Sequence, residues 1–268
     1  MPLVVTSGNP LVVDRKQLLD MLDRVRAGEV SPAEAASHIG ALPFAEVAHA
    51  VGSSLIDHHR ELRTGVPEIV YGASKSPEQI AGAMRELAAH AGGAIATRVD
   101  GAKAAAVKAI VPDVVVHDTA RVLLLGAPSV RPRSASIAIV CAGTSDLPVA
   151  EEAALVAEFL GAPVVRFSDV GVAGLHRLLA RIDAIKQAEV IICVAGMEAA
   201  LPSVLGGLVD RLLIAVPTSI GYGVAADGLV AMAGMLASCA PGITVVNIDN
   251  GVGAAVAAVK VARLAVRA

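Results

Sequence analysis

Small polar turns directly follow apolar segments in the C-terminal half of this chain. One turn combines a glycine, two hydroxyls and a carboxylate, in the order Gly143, Thr144, Ser145 and Asp146. At the start of a helix, backbone N–H groups beside such side chains can bind an anion. N-capping of the helix by Ser145 or Asp146 explains the same residue types, so both interpretations stay open. The spacing matches neither GxGxxG nor a P-loop.

Glu198 is the carboxylate of a second turn, which runs from Gly196 to Pro202 and also contains Met197. An acid that follows a buried strand of a parallel sheet lies where ligands bind, so it is a candidate for proton transfer. Its alternative role is to stabilise the next helix through the helix dipole. The loop from Pro217 to Gly223 is predicted to bind substrate through Ser219, Gly221 and Gly223. The alternative is that this loop is an ordinary connection between elements.

Three cysteines without CxxC spacing argue against a disulfide framework and a zinc ribbon. Cys141 and Cys193 lie inside apolar segments, where a cysteine usually acts as a small hydrophobic residue. Cys239 precedes a turn, where a thiol can be exposed and become a nucleophilic thiolate. Taken alone, a cysteine in this position is more often structural than catalytic.

Histidines and cations supply weaker candidates. His176 lies early in a predicted helix, and a lone helical histidine is usually a surface residue. His58 and His59 are adjacent, so they point to different faces, and we predict no metal site. The N-terminal half offers four possible phosphate ligands, Arg60, Arg63, Lys75 and Arg98. On composition, solvated surface charge explains these residues better.

Strands and helices alternate from Ser134 to the C-terminus, which predicts a doubly wound parallel α/β domain of five strands. The predicted strands are SIAIVCAG, APVVRFSD, AEVIICVAG, RLLIAVPTS and TVVNIDN. Residues 1–132 are predicted to form a small α+β domain with a helical start. This domain includes the helix SPEQIAGAMRELAAH and a hairpin or edge formed by VVVHD and RVLLLG. RPRS, from Arg131 to Ser134, has the composition of a domain boundary.

Composition excludes several classes of protein. The chain has 268 residues, 55% of them hydrophobic and 18% charged, and its net charge is −3 without a long basic run. Binding of nucleic acid is therefore not expected, since it needs clustered lysines and arginines. The N-terminus lacks the pattern of a signal peptide, and no apolar run reaches the length of a membrane span. We expect a cytoplasmic protein that makes no contact with membranes.

These turns together resemble a known enzyme family. GTSDLPVAEEA, GMEAALPSVLGGLVD and LLIAVPTSIGYG look like the loops of PurE-type aminoimidazole ribonucleotide (AIR) carboxylases. MLASCAPGITVVNIDNGVGAA, and RTGVPEIVYGASKSPEQI in the N-terminal half, look like the related LarB family. The resemblance implies a PurE-like, flavodoxin-like sheet. It also implies a homo-oligomer, an octamer in that family.

The LarB resemblance implies carboxylation of ring carbon 5 of the pyridinium of nicotinic acid adenine dinucleotide, followed by hydrolysis of the phosphoanhydride. It makes Cys239 the nucleophile and Glu198 the acid/base group, and it puts Gly143 to Asp146 and Met197 beside the ring. A catalytic role for His176 is implied more weakly, because an insertion here interrupts the PurE motif Ser-Ala-His-Arg. The adenylate half is expected at Gly221 to Gly223, or at Lys75 and Arg98.

The expected co-substrate is CO2 or bicarbonate, without a tightly bound cofactor and with or without magnesium on the diphosphate. A thiolate suits a pyridinium ring, because its addition turns carbon 5 into a nucleophile that can attack CO2. The alternatives are an AIR carboxylase or mutase, whose aminoimidazole substrate needs no thiol, and a non-catalytic nucleotide-binding subunit.

Overall fold

Two α/β units form the part of the chain that the computed structural model describes, residues 15–39, 44–48, 53–58, 60–127 and 135–265. The predicted boundary after residue 132, with RPRS at 131–134, lies outside these residues, and so does the stretch before Arg15. Within the described ranges, no helix is long and apolar enough to cross a membrane.

The N-terminal unit contains a hairpin and a mixed four-stranded sheet. Its helices are α1 (Arg15–Arg26), α2 (Pro32–Ile39), α3 (Arg60–Thr64), α4 (Pro77–Ala91) and α5 (Gly101–Ile110). Its strands are β1 (Phe44–Ala48), β2 (Ser53–Asp57), β3 (Val70–Tyr71), β4 (Gly93–Thr97), β5 (Val115–His117) and β6 (Val122–Gly126). β1 pairs antiparallel with β2, and the sheet has the order β3-β4-β6-β5. The predicted hairpin of VVVHD and RVLLLG is confirmed as β5 and β6.

The C-terminal unit is built on a five-stranded parallel sheet with the order β11-β10-β9-β7-β8. Its strands are β7 (Ile137–Cys141), β8 (Val164–Phe167), β9 (Val190–Ala195), β10 (Leu212–Pro217) and β11 (Ile243–Val245). Its helices are α6 (Leu147–Phe159), α7 (Leu175–Leu179), α8 (Ile182–Ile185), α9 (Ala200–Gly206), α10 (Leu229–Leu236) and α11 (Gly251–Ala265). The predicted doubly wound, flavodoxin-like sheet is confirmed.

Apolar layers cover both faces of this sheet, which is why β7 and β9 are buried at every position and read as continuous apolar runs. The face under α6 and α11 packs on alternate strand residues such as Ile139 and Ile192. The other face packs residues of β7 and β9 such as Val140 and Ile191 against the remaining helices. Helices on both faces leave the carboxyl ends of the strands open as the binding edge.

The N-terminal unit packs on the α6 and α11 side of the sheet. Val66, Ile95 and Val122 belong to the same buried cluster as Ile139 and Val259. The two units therefore share a core, and the first unit is held beside the edge of the sheet where α11 begins.

Some elements differ from the predictions. The segment GLHRLLARIDAIKQ, predicted as one helix, forms two short helices, α7 and α8, with a break at Ala180 and Arg181. The β1–β2 hairpin and α5 were not anticipated. Asp100 caps α5 by accepting a hydrogen bond from the backbone N–H of Lys103 at 2.9 Å, which is the signal that sequence reasoning overlooked.

Candidate active site

The turns after β7 and β10 meet around the buried carboxylate of Asp146. Its Oδ1 accepts a hydrogen bond from Thr218 Oγ1 at 2.6 Å, and its Oδ2 accepts one from the backbone N–H of Gly143 at 3.0 Å. Asp146 is 5% exposed and Thr218 is fully buried. The predicted turn from Gly143 to Asp146 is thus anchored to the loop that follows β10, on the far side of β9, while Thr144 and Ser145 stay exposed.

Burial raises the pKa of Asp146 above its ordinary value. The hydrogen bonds from Thr218, Gly143 and Gly196 oppose that shift, and the nearby charge of Asp249 adds to it. A carboxyl group with a raised pKa can give and take a proton near neutral pH more readily than a solvated one. Asp146 is therefore a candidate for proton transfer as well as for the substrate binding that its turn predicted.

Glu198 occupies a constrained turn. The residues on either side, Met197 and Ala199, have φ values of 54° and 53°, in the left-handed region that such side chains rarely adopt. Non-glycine residues in this conformation cost about 1–3 kcal/mol each and occur preferentially at functional sites. Met197 donates its backbone N–H to the carbonyl of Ile220 at 2.8 Å, and the Glu198 side chain is exposed at the edge.

Gly196 allows the two loops to approach each other. A Cβ on Gly196 would lie 2.4 Å from the carbonyl oxygen of Ile220 and 2.6 Å from Thr218 Oγ1. The loop that follows β10 therefore lies against the Glu198 turn through a position where only glycine fits. Ser219, Gly221 and Gly223 in that loop are exposed to solvent.

The turn after β11 links the edge to the N-terminal unit. Asp249 accepts the backbone N–H of Ser219 on Oδ1 at 2.8 Å, and its own backbone carbonyl accepts a hydrogen bond from the Arg98 guanidinium. Arg98 Nε also lies 3.7 Å from Glu152 Oε1, a carboxylate that is almost completely buried. Arg98 thus lies at the edge of the sheet and joins the two units, and its role as a ligand residue stays a prediction.

His176 lies apart from this group. It is exposed on α7, beyond β8, and its neighbour Arg177 forms an ion pair with Asp169. Among the described hydrogen bonds and ion pairs, none joins His176 to Asp146 or Glu198. Its predicted catalytic role therefore gains no support from the geometry of one chain.

Cys239 is exposed, in the segment between α10 and β11. Its neighbour Ser238 bonds to Ser203 Oγ at 2.7 Å, in the middle of α9, whereas Glu198 precedes the start of that helix. The two other thiols are buried, and burial raises the pKa of Cys141 to about 12. Cys239 is the accessible thiol, and no described hydrogen bond or ion pair joins it to Glu198 within one chain. The helix before it does pack on the Glu198 turn, because a Cβ on Gly234 would lie 2.8 Å from the Glu198 carbonyl oxygen.

A cleft of about 510 Å³ lies between the two units, beside the turn that follows β11. Among the described residues that line it, three carry cationic side chains and none carries a carboxylate. Its polar and cationic lining residues are Arg60, Thr64, Tyr71, Thr97, Arg98, Asn247, Asn250 and Lys260. Lys75, the other predicted ligand, lines a smaller adjoining cavity of about 200 Å³ instead. Lys260 was not anticipated, because nothing in its local sequence distinguishes it from a solvated helix residue.

Comparisons with known proteins divide the chain in the same way. Residues 48–127 match the family described as the LarB/PurE-like N-terminal domain, and residues 136–267 match the AIR carboxylase family. An uncharacterized protein of Methanocaldococcus jannaschii is 37% identical over 259 residues, which cover 93% of this chain and 98% of that protein. The N5-carboxyaminoimidazole ribonucleotide mutase of the same organism is 35% identical over 133 residues, covering 48% of this chain and 79% of the mutase.

Proposed function

Because this chain belongs to the LarB/PurE-like family and carries a carboxylase-type enzyme domain, we propose that it carboxylates nicotinic acid adenine dinucleotide. CO2 is added at ring carbon 5 of the pyridinium, and the phosphoanhydride is then hydrolysed. The products are pyridinium-3,5-biscarboxylic acid mononucleotide and AMP, the first step in making the nickel-pincer nucleotide cofactor.

The observation that carries this proposal is the N-terminal unit. The mutase relative covers only 48% of this chain, whereas the match to the LarB/PurE-like N-terminal domain covers residues 48–127. A dinucleotide substrate has a second nucleotide to bind and a phosphoanhydride to break. An additional domain packed beside the carboxylase edge provides surface for that half of the substrate.

In the proposed carboxylation, the Cys239 thiolate adds to ring carbon 4 or 6, and the displaced electron pair moves to the ring nitrogen. Carbon 5 then attacks CO2 and forms the new carbon–carbon bond. A base removes the proton from carbon 5, the sulfur–carbon bond breaks, and the ring becomes aromatic again. Glu198, exposed at the edge, and Asp146, whose pKa is raised, are the two carboxyl groups available for this proton.

The proposed covalent step uses more than one copy of the chain. Helix α10, which leads to Cys239, exposes Leu229 and Leu236 by 54% and 67%, and the loop after β10 exposes Tyr222 and Val224 by 80% and 88%. Apolar side chains exposed together favour an interface between proteins. We propose a homo-oligomer, an octamer by family resemblance, in which Cys239 of one copy reaches the Glu198 edge of another.

For the other half of the substrate, we propose the cleft between the units. Arg60, Arg98 and Lys260 carry the positive charge that a diphosphate needs. These cations would hold the diphosphate directly, with or without magnesium bound to it. Water is the expected nucleophile of the hydrolysis.

The deciding experiment incubates the protein with labelled bicarbonate and, separately, with the dinucleotide or with aminoimidazole ribonucleotide. We expect label only in the pyridinium product, together with AMP. Label in the aminoimidazole product would favour the second candidate, a mutase or carboxylase like the relative from M. jannaschii. Binding without turnover of either substrate would favour a nucleotide-binding subunit.

Cys239→Ala tests the covalent route. The residue is exposed, so the fold should persist, and carboxylation should be lost. Mass spectrometry of protein denatured during turnover should detect a pyridine adduct on the peptide that contains Cys239. Full activity of the variant would exclude the thiolate step.

A further inference from the structure

A second group of ionisable side chains lies in the N-terminal unit, away from the carboxylase edge. His58 Nε2 lies 3.2 Å from Glu86 Oε1, and His90 Nδ1 lies 3.3 Å from the same oxygen. One nitrogen from each histidine and one carboxylate oxygen all lie within 4.8 Å of one another. The adjacent pair His58 and His59 predicted no metal site, but His58 meets residues from a distant helix.

Two elements fixed by the core hold these side chains. Glu86 and His90 are four residues apart on α4, which places them on one face of the helix. His58 directly follows β2, whose Ile56 packs into the same buried cluster as Met84 of α4. The helix itself is capped at both ends, by a capping box at Ser76 and a left-handed Gly92. The three ligating groups are therefore presented by rigid backbone.

We propose that His58, Glu86 and His90 bind one divalent transition-metal ion of the zinc class. Two imidazoles and one carboxylate form a donor set that zinc accepts, with water in the open fourth position. Bonds of about 2.1 Å in a tetrahedral geometry separate neighbouring donor atoms by about 3.4 Å. The two measured separations from Glu86 Oε1, 3.2 and 3.3 Å, are close to that value.

One ring has to turn for the ion to enter. The two imidazole rings are stacked with centroids 3.8 Å apart and planes tilted by 32°, whereas an ion bound by both must lie in the plane of each. The His58 side chain is 1% exposed and the His90 side chain 22%, so His90 is the ring with room to move. Its Nδ1, the nitrogen that lies 3.3 Å from Glu86 Oε1, also lies 3.1 Å from the Glu86 carbonyl, and it would exchange that contact for the ion when the ring turns.

The bound ion would tie the end of β2 to α4. Arg60, which lines the cleft between the units, begins the short helix α3 two residues after His58. The site is separate from the carboxylation machinery, and its existence does not depend on the proposed function.

The test uses the full chain, stripped with a chelator and then titrated with Co²⁺ and Zn²⁺. We expect one ion per chain, visible absorption typical of tetrahedral Co²⁺ without a thiolate charge-transfer band, and a higher Tm with Zn²⁺. Glu86→Gln and His90→Asn, at partly exposed positions, should weaken binding by about tenfold or more. His117→Gln, on β5, is the matched control and should bind as the parent does, as should Cys239→Ser, which removes the exposed thiol.

Absence of saturable binding to the unaltered chain would overturn the proposal, and so would full affinity in both Glu86→Gln and His90→Asn. Should either variant fail to fold, the Co²⁺ spectrum and the Zn²⁺-dependent Tm of the parent decide. Loss of binding in Cys239→Ser alone would assign the ion to the thiol instead and would also refute this site.

Discussion

Mixing two inactive variants tests the proposed reaction most directly, because it shows whether the thiol and the carboxylate of one site come from one chain or from two. Ser238 contacts Ser203, and a Cβ on Gly206 would lie 3.1 Å from Ala240, so Cys239 lies beside the second half of α9. Glu198 lies before the start of that helix, which rises about 1.5 Å per residue, or about 10 Å from end to end. A nucleophile and a base that act on one ring must each approach it to about 3–3.5 Å.

The expected recovery of activity follows from random assembly of the two variants. Cys239→Ala and Glu198→Gln should each be inactive alone. If each site takes its thiol from one copy and its carboxylate from another, a random equimolar mixture supplies both intact groups in about a quarter of the sites. Carboxylation should therefore return to about a quarter of the parent's rate, measured as label transferred from bicarbonate to the pyridinium product.

A second mixture provides the control. Parent protein mixed with the double variant should retain about a quarter of its activity per site if the two groups come from different copies, and about half if they come from the same chain. Native mass spectrometry establishes that hybrid oligomers have formed. Hybrids of the single variants that stay inactive would refute the shared site.

Three further predictions concern individual residues. Burial raises the pKa of Asp146, so its proton stabilises the folded state below about pH 4 and this contribution is lost as pH rises through the folded pKa. The Tm of Asp146→Asn relative to the parent should therefore increase as pH rises above about 4 in thermal unfolding, while carboxylation falls by roughly 10²–10⁴-fold. A pH-independent difference in Tm would contradict the assignment. Gly196→Val should lower the free energy of unfolding by about 1–3 kcal/mol or more, because its Cβ meets the Ile220 carbonyl at 2.4 Å, whereas Gly143→Ala, whose nearest contact is 3.4 Å, should cost little in a urea titration. Lys260→Gln should raise KM for the dinucleotide by about tenfold, because the lost charge binds the diphosphate. Turnover of a mononucleotide analogue should be unchanged. An equal effect on both substrates would show that the diphosphate does not bind at Lys260.

The sequence predicted the carboxylase sheet well because its central strands are buried on both faces. Ile137–Cys141 and Val190–Ala195 contain only apolar residues, and each is followed by a polar turn. The N-terminal unit was predicted less completely. Its β1–β2 hairpin, at residues 44–48 and 53–57, has short strands that are partly exposed. Such strands show little alternation of apolar and polar residues.

Contacts between distant residues could not be predicted in the same way. Asp146 and Thr218 are 72 residues apart, and neither position alone indicates that the hydroxyl donates to the buried carboxylate. The pairing of His58 with Glu86 and His90 likewise depends on how β2 packs against α4. Local spacing identifies the turns that carry functional groups, but the partner of each group is decided by strand order and packing.

The thiol nearest to the Asp146 turn is not the one that chemistry favours. Cys141 ends β7, and its thiol donates to the carbonyl of Gly143 at 3.2 Å, so on position alone it is the better placed nucleophile. Burial raises its pKa to about 12, and at pH 7 such a thiol is ionised in only about one molecule in 10⁵. Within one chain, the thiol that lies close to the Asp146 turn is therefore a poor nucleophile. We propose that the accessible Cys239 supplies the thiolate and that a second copy brings it to the ring, so that covalent catalysis depends on assembly.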